Sequence, residues 1–240
     1  MAHKAGYVNI IGEPNVGKST LVNALLGEKL VITNRKAQTT RHRILGILNA
    51  EEHQLILSDT PGILEPQYKL HKSMMRDADV LIILVELGMT PGKSELVLKR
   101  AARFEGPKLL LVNKVDKGEQ VELIAMLQQW QEAVPEAKVA AISALHGFNI
   151  DDLRNWLIGM LPEHPPYFPK DELSDRNTRF FVSEMIREHV LAQFKQEIPY
   201  STEVVVNSFL DEPAIFKIQA DIIVMREGQK GIIIGDGGTA

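Results

Sequence analysis

The chain has 240 residues, 45% of them hydrophobic and 24% charged, with a formal net charge of −4, enough for one large domain or for one good core and part of a second. It has no cysteine, which excludes a disulfide framework and a thiolate metal site. Its longest purely apolar run, Val80 to Val85, is too short to span a bilayer; with the first strand expected near Gly6 there is no room for a signal peptide, so the expected setting is cytoplasmic, with peripheral membrane contact left open.

Tyr7, Val8, Ile10 and Ile11 read as a buried strand, and Leu21, Val22, Leu25 and Leu26 recur at helical spacing over Lys18 to Leu26. Between them stands Gly12-Glu13-Pro14-Asn15-Val16-Gly17-Lys18-Ser19. A glycine-rich loop between a strand and a helix is a phosphate cradle. Its glycines let the backbone approach closely, so that successive N–H groups and the positive end of the helix converge on phosphate oxygens. Lys18 is expected to reach the β- and γ-phosphates, and the Ser19 hydroxyl to bind Mg²⁺.

Thr33 to Arg43 is polar, basic and without apolar periodicity until Ile44. Such a segment suits a switch that orders around a γ-phosphate and Mg²⁺, with Thr39 and Thr40 as the candidate metal hydroxyls. Leu55 to Ser58 is a strand-type run ending on Asp59-Thr60-Pro61-Gly62. There a carboxylate at Asp59 can hold Mg²⁺ through water, and the Gly62 N–H can approach a γ-phosphate. The next position is Ile63, where a glutamine would be needed to orient an attacking water. Hydrolysis is therefore expected to be slow, with Lys18, Mg²⁺ and backbone donors carrying most of the rate.

Leu109 to Val112 leads into Asn113-Lys114-Val115-Asp116. A carboxylate at Asp116 can accept from the N1–H and 2-amino group of guanine, an arrangement adenine lacks, which selects GTP over ATP. Val139 to Ile142 then leads into Ser143-Ala144-Leu145, whose backbone N–H groups can meet the guanine carbonyl, before a helix beginning near Asn149.

Pro162, Pro165, Pro166 and Pro169 mark 162–170 as an extended linker. Before it, strands and helices alternate as in a doubly wound α/β domain. After it, a helical stripe over Arg176 to Phe194 (Phe181, Val182, Met185, Ile186, Val190, Leu191) precedes two strands, Glu203 to Phe209 and Ile215 to Met225. The charge divides unevenly: residues 1–169 carry 19 basic and 19 acidic side chains, residues 170–240 carry 8 and 12.

With these motifs in this order, and with Arg35-Lys36-Ala37-Gln38-Thr39-Thr40-Arg41 between the first two, the chain resembles the translation-factor-related GTPases and, among them, the Era family of bacterial ribosome-assembly GTPases. Glu184 to Glu188, Glu197-Ile198-Pro199-Tyr200-Ser201, Arg226 to Lys230 and Ile232 to Gly235 are similar to that family's RNA-binding KH domain. The resemblance implies a P-loop GTPase domain with a doubly wound mixed sheet over 1–161, the linker 162–170, and a smaller α+β KH-type domain over 171–240. It places Glu13, Asn15, Val16, Gly17, Lys18, Ser19, Thr20, Asp59, Gly62, Asn113, Lys114, Asp116, Ser143, Ala144 and Leu145 on GTP or GDP. It puts Mg²⁺ on Ser19, Thr40 and Asp59, with Thr40 favoured over Thr39, and Lys18, Thr40 and Gly62 in the catalytic step. In relatives that recruit K⁺ in place of an arginine finger an asparagine ligates the cation at the position of Asn15, although Asn15 also suits a plain turn.

As partners, 16S rRNA and the 30S subunit are implied for the complete protein. KH domains clamp a single-stranded backbone with a Gly-x-x-Gly loop and the helix after it; here Gly235-Asp236-Gly237-Gly238 is followed by only two residues. The family carries a basic residue where this chain has Asp236. With the acidic balance of 170–240, this argues against strong RNA binding by the chain as it stands. The alternative reading is a nucleotide-regulated module for protein or membrane contacts that does not bind RNA.

Overall fold

A computed structural model describes residues 2–33, 44–59 and 78–238. Among these, one compact unit comprises 2–31, 44–59 and 78–175, and the other 32–33 and 176–238.

The first unit is a six-stranded sheet in the order β2-β3-β1-β4-β5-β6, built from β1 (Lys4–Ile11), β2 (Ile44–Asn49), β3 (His53–Asp59), β4 (Val80–Glu86), β5 (Lys108–Asn113) and β6 (Ala137–Ala141). β2 runs antiparallel to β3, and every other neighbouring pair is parallel. Around it lie α1 (Lys18–Leu26), α2 (Glu95–Ala101), α3 (Gln120–Ala133) and α4 (Ile150–Met160). The strands read as unbroken apolar runs and not as alternating patterns because a parallel sheet is covered on both faces. Val80 to Val85 of β4 and Leu109 to Val112 of β5 are all buried. On one side Leu81, Ile83, Val85, Leu110 and Val112 pack with Val97, Met126 and Trp130, each buried aliphatic side chain contributing about 1.5–3 kcal/mol. Trp130 keeps its polar edge satisfied by donating from Nε1 to the Met89 carbonyl at 3.2 Å.

Strand order reverses about β1: the chain passes from it to β3 on one side and later to β4 on the other. A crevice at the carboxyl ends of the strands beside such a reversal is where α/β sheets bind ligands. Ile11, Asp59, Glu86, Asn113 and Ala141, the last residues of β1, β3, β4, β5 and β6, all end at that edge.

The proline-rich stretch does not cross open space but lies along the first unit. Proline offers no N–H to a ladder, and the buried Gln54 side chain supplies the bonding instead. Its Oε1 accepts from the N–H groups of Tyr167 and Phe168 at 2.7 and 3.0 Å, and its Nε2 donates to the Phe168 carbonyl at 2.8 Å. Further on, Ile47 N–H bonds the Leu173 carbonyl at 2.9 Å and Leu45 N–H the Asp175 carboxylate at 3.0 Å.

The second unit begins with α5 (Thr178–Gln193), whose first turn is capped by the Asn177 side chain accepting from Phe180 N–H at 3.0 Å. The antiparallel pair β7 (Thr202–Glu212) and β8 (Ile215–Val224) follows. The expected stripe on α5 is only partly buried: Val190 and Leu191 are inside, whereas Met185 is exposed and Glu184 and Arg187 are buried. That exchange is tolerable because Arg187 donates twice to the Glu184 carboxylate, at 2.8 and 2.6 Å, so each charge meets its counterpart.

A further helix, α6 (Glu227–Ile234), has no counterpart in the sequence reading. Gly228 and Gly231 weaken its propensity. The tertiary pattern offsets this: the Gln229 side chain accepts from the Arg226 N–H at 3.0 Å and donates to Ser201 Oγ at 2.9 Å. Past it, Gly235, Gly237 and Gly238 all have positive φ, at 72°, 62° and 82°, with Asp236 among them.

Candidate nucleotide-binding site

Both glycines of the loop after β1 are required by space. A Cβ at Gly12 would run into the Leu84 carbonyl oxygen, and one at Gly17, where φ is +103°, into the Asn113 amide. Gly17 is also the residue at which α1 begins, and its carbonyl accepts the Leu21 N–H at 2.9 Å. The loop before it therefore meets the positive end of the helix, where an anion is favoured. Lys18 is buried, and its Nζ donates to the carbonyls of Gly12 and Glu13 at 3.1 and 2.8 Å, which folds the ammonium over the loop. Glu13, Ser19 and Thr20 are half-buried, Asn15 is exposed and Val16 is buried.

Asn113, buried at the end of β5, holds two loops at once. Its Nδ2 donates to the Val16 carbonyl at 2.8 Å, and its Oδ1 accepts from the Ala144 N–H at 3.0 Å. Lys114 follows in the left-handed region, φ 64°, and its Nζ donates to the Asn15 carbonyl and to Glu86 Oε2, each at 2.6 Å. Asp116 lies in the 3-10 turn Val115–Lys117, where its Oδ1 accepts from the Ser143 hydroxyl at 2.5 Å. That bond, chiefly, holds its carboxyl below the ordinary carboxylate range. Ala144 is buried, whereas the Leu145 side chain is exposed.

The structure therefore brings together the loop 12–19, Asn113, Lys114, Asp116, Ser143 and Ala144. Asp59 stands at the end of β3, in register with Ile10. Thr39, Thr40, Gly62 and Ile63 lie outside the described residues. Two contributors escaped the sequence reading. Glu86 is a lone carboxylate closing an all-apolar strand, a signal that could have been noticed. The exposed His146 has its Nε2 3.7 Å from Asp116 Oδ2, which only the fold of the 143–148 turn reveals.

A glycine-rich loop stapled through Asn113 to the turn whose Ser143 hydroxyl holds the Asp116 carboxylate has the layout of a P-loop GTPase. The family model described as 50S ribosome-binding GTPase matches residues 7–114, and that of the KH domain matches residues 197–240. GTPase Era of Azotobacter vinelandii is 43% identical, over 98% of this chain and 81% of its own; the chain belongs to the Era family of GTPases. Two solved structures of Era superpose with a TM-score of 0.88 at 36% identity, covering 98% of this chain and 84% of theirs. One is a variant of the Aquifex aeolicus protein bound to GDP and AlF4⁻; the other is Era with MgGDPNP and nucleotides 1506–1542 of 16S ribosomal RNA. The chain is thus a GTPase that binds GTP and GDP and converts the first to the second with release of phosphate, and it carries a KH domain. Among the described residues no helix is long and apolar enough to cross a membrane.

Proposed function

We propose that this GTPase uses its nucleotide cycle to control the binding of small-subunit ribosomal RNA, near its 3′ end, by the KH unit, and so assists assembly of the 30S subunit in the cytoplasm. The observation that carries the reading is the presence in one chain of the Asn113-stapled guanine site and a KH-type unit with its Gly-x-x-Gly turn at 235–238. The complex of Era with 16S rRNA supports it. In domain terms, 1–161 is the nucleotide domain, 162–170 a linker strapped to it, and 171–240 the KH-type part, with 171–175 continuing the strap.

In the catalytic step, water attacks the γ-phosphorus as the bond to the β–γ bridging oxygen breaks, and the electron pair leaves with GDP. Lys18 turns from the loop carbonyls to the β- and γ-oxygens, and the N–H groups of 13–20 and of Gly62 hold the developing charge. Asp116 and the 143–145 backbone hold guanine. Ser19, Thr40 and Asp59 are the residues that would hold Mg²⁺, a hard cation that takes oxygen ligands and would neutralise phosphate charge. Asn15, exposed on the loop, is suited to a K⁺ ion that would add to the charge Lys18 supplies.

One observation favours a second reading, a nucleotide-regulated protein or peripheral membrane contact without RNA binding: residues 170–240 carry 8 basic against 12 acidic side chains. Fluorescence anisotropy with a 3′-terminal 16S oligonucleotide, with GTP or GDP and Mg²⁺ at one fixed salt concentration, separates the two. Weak but nucleotide-dependent binding is expected. Hydrolysis with no RNA binding in either state would favour the second reading.

A further inference from the structure

Glu86 belongs to none of the motifs, yet it stands at their junction. Its backbone is fixed as the last residue of β4, paired in register with Asn113, and the next residue, Leu87, donates its N–H to the Asn113 carbonyl at 3.0 Å. From this rigid base its Oε2 takes the Lys114 ammonium at 2.6 Å, while Oε1 lies 3.9 Å from Lys117 Nζ. The same Lys114 ammonium donates to the Asn15 carbonyl at 2.6 Å. A single chain of charge-assisted bonds therefore runs from β4, through the guanine motif, to the middle of the phosphate loop.

Lys114 and the Asn15 that it bonds both have a left-handed backbone. Each has φ of 64°, which asparagine tolerates but which lysine holds only when its surroundings over-determine it. Lysine is a poor anchor by itself, a point charge on a flexible four-carbon stem. A carboxylate at 2.6 Å removes that freedom, and the Glu86 and Lys114 side chains, 32% and 22% exposed, are shielded enough from water for the pair to be more than a loose surface contact.

We propose that Glu86 is a positioning residue for the GTPase cycle: it holds the Lys114 ammonium, and through it the left-handed Asn15, so that base recognition and the phosphate loop are set as one unit. The proposal rests on the reading of the 12–19 loop as the phosphate site. Without the carboxylate, Lys114 swings free, the Asn15 carbonyl loses its donor and the loop relaxes between encounters with nucleotide. Bound GDP should then leave faster and KM for GTP rise, whereas the chemistry of a correctly bound GTP changes little.

The test is stopped-flow dissociation of a fluorescent GDP, with steady-state hydrolysis, for Glu86→Gln, Glu86→Asp, Lys114→Met and the Glu86→Gln/Lys114→Met double variant. GDP dissociation and KM are expected to rise about tenfold in Glu86→Gln, the worth of one charge-assisted bond, with kcat within about twofold. Glu86→Asp, which keeps the charge on a shorter stem, should fall between, and Glu86→Gln should add nothing once Lys114 is Met. Dissociation is measured only on molecules that have folded and bound, so a loss of fold cannot mimic the effect. An unchanged GDP dissociation rate in both Glu86 variants overturns the proposal, as does full additivity with Lys114→Met. Lys18→Ala distinguishes the underlying reading: retained GTP binding in that variant sinks the phosphate-site assignment itself, whatever Glu86 does.

Discussion

Asn113 and Val16 are 97 positions apart in sequence and joined by one hydrogen bond of 2.8 Å, from the asparagine Nδ2 to the valine carbonyl. The other end of the same carboxamide takes the Ala144 N–H. One side chain thus fixes the spacing between the 12–19 loop and the 143–145 turn. Removing it leaves a buried carbonyl and a buried N–H unsatisfied, at about 1–3 kcal/mol each. Asn113→Ala is expected to cost about 2–4 kcal/mol of stability in urea unfolding and to weaken GTP and GDP alike. A variant with wild-type stability would show that the staple is dispensable.

Asp116 is expected to set base choice. If Asp116 is the acceptor for two guanine donors, Asp116→Asn should weaken GTP binding by about 1–3 kcal/mol or more. Xanthosine triphosphate, whose 2-carbonyl can accept from the new amide, should bind better. Titration of both nucleotides against the variant gives the answer, and unchanged GTP affinity would remove Asp116 from the base pocket.

The pH dependence of binding follows from the same carboxylate. The Ser143 hydroxyl, chiefly, depresses the Asp116 pKa below its ordinary 3.8. A depressed carboxylate contributes fully above its ordinary pKa, and the contribution is lost only as pH falls through the lower folded value. GDP affinity should accordingly stay flat from neutral pH down to about 4. In Ser143→Ala the acid limb should move up towards the ordinary carboxylate range, visible in fluorescent-GDP titrations taken from pH 7 down to about 3. An acid limb at the same pH in both proteins would count against the Ser143 contribution.

Asn15, exposed on the phosphate loop with φ 64°, and the absence of glutamine at Ile63 predict faster hydrolysis in K⁺ than in Na⁺. Asn15→Ala should abolish the difference between the two salts. Phosphate release measured in the two salts at matched ionic strength decides it; equal wild-type rates refute the cation's role.

For RNA, the turn at 235–238 places the Asp236 charge among three glycines of positive φ, a backbone shape that suits close approach of a phosphate. Asp236→Lys exchanges repulsion for attraction there and should raise affinity for a 3′-terminal 16S oligonucleotide several-fold, with a steeper salt dependence by about one counterion. Identical anisotropy curves would place the RNA contact elsewhere, with the basic segment Arg35 to Arg43 the next candidate.

Much of this molecule is legible in one dimension because its chemistry is local. Gly12 to Ser19 lies between a strand and a helix that each announce themselves by periodicity, and apolar runs such as Val80 to Val85 can be buried only within a covered parallel sheet. Asn113 to Asp116 and Ser143 to Leu145 are recognisable because each follows a strand at the edge where α/β sheets place their ligands. What the residues do to one another was settled by the fold. Glu86, His146 and Gln54 are unremarkable as letters; they matter because distant segments arrive within 2.6–3.7 Å of them. The helix Glu227–Ile234 was likewise decided by the cap from Gln229 and its bond to Ser201, against the local cost of two glycines. Periodicity and turn chemistry are properties of neighbouring residues and are written along the chain, whereas a hydrogen bond between residues 28 or 113 positions apart exists only once the strands between them have packed.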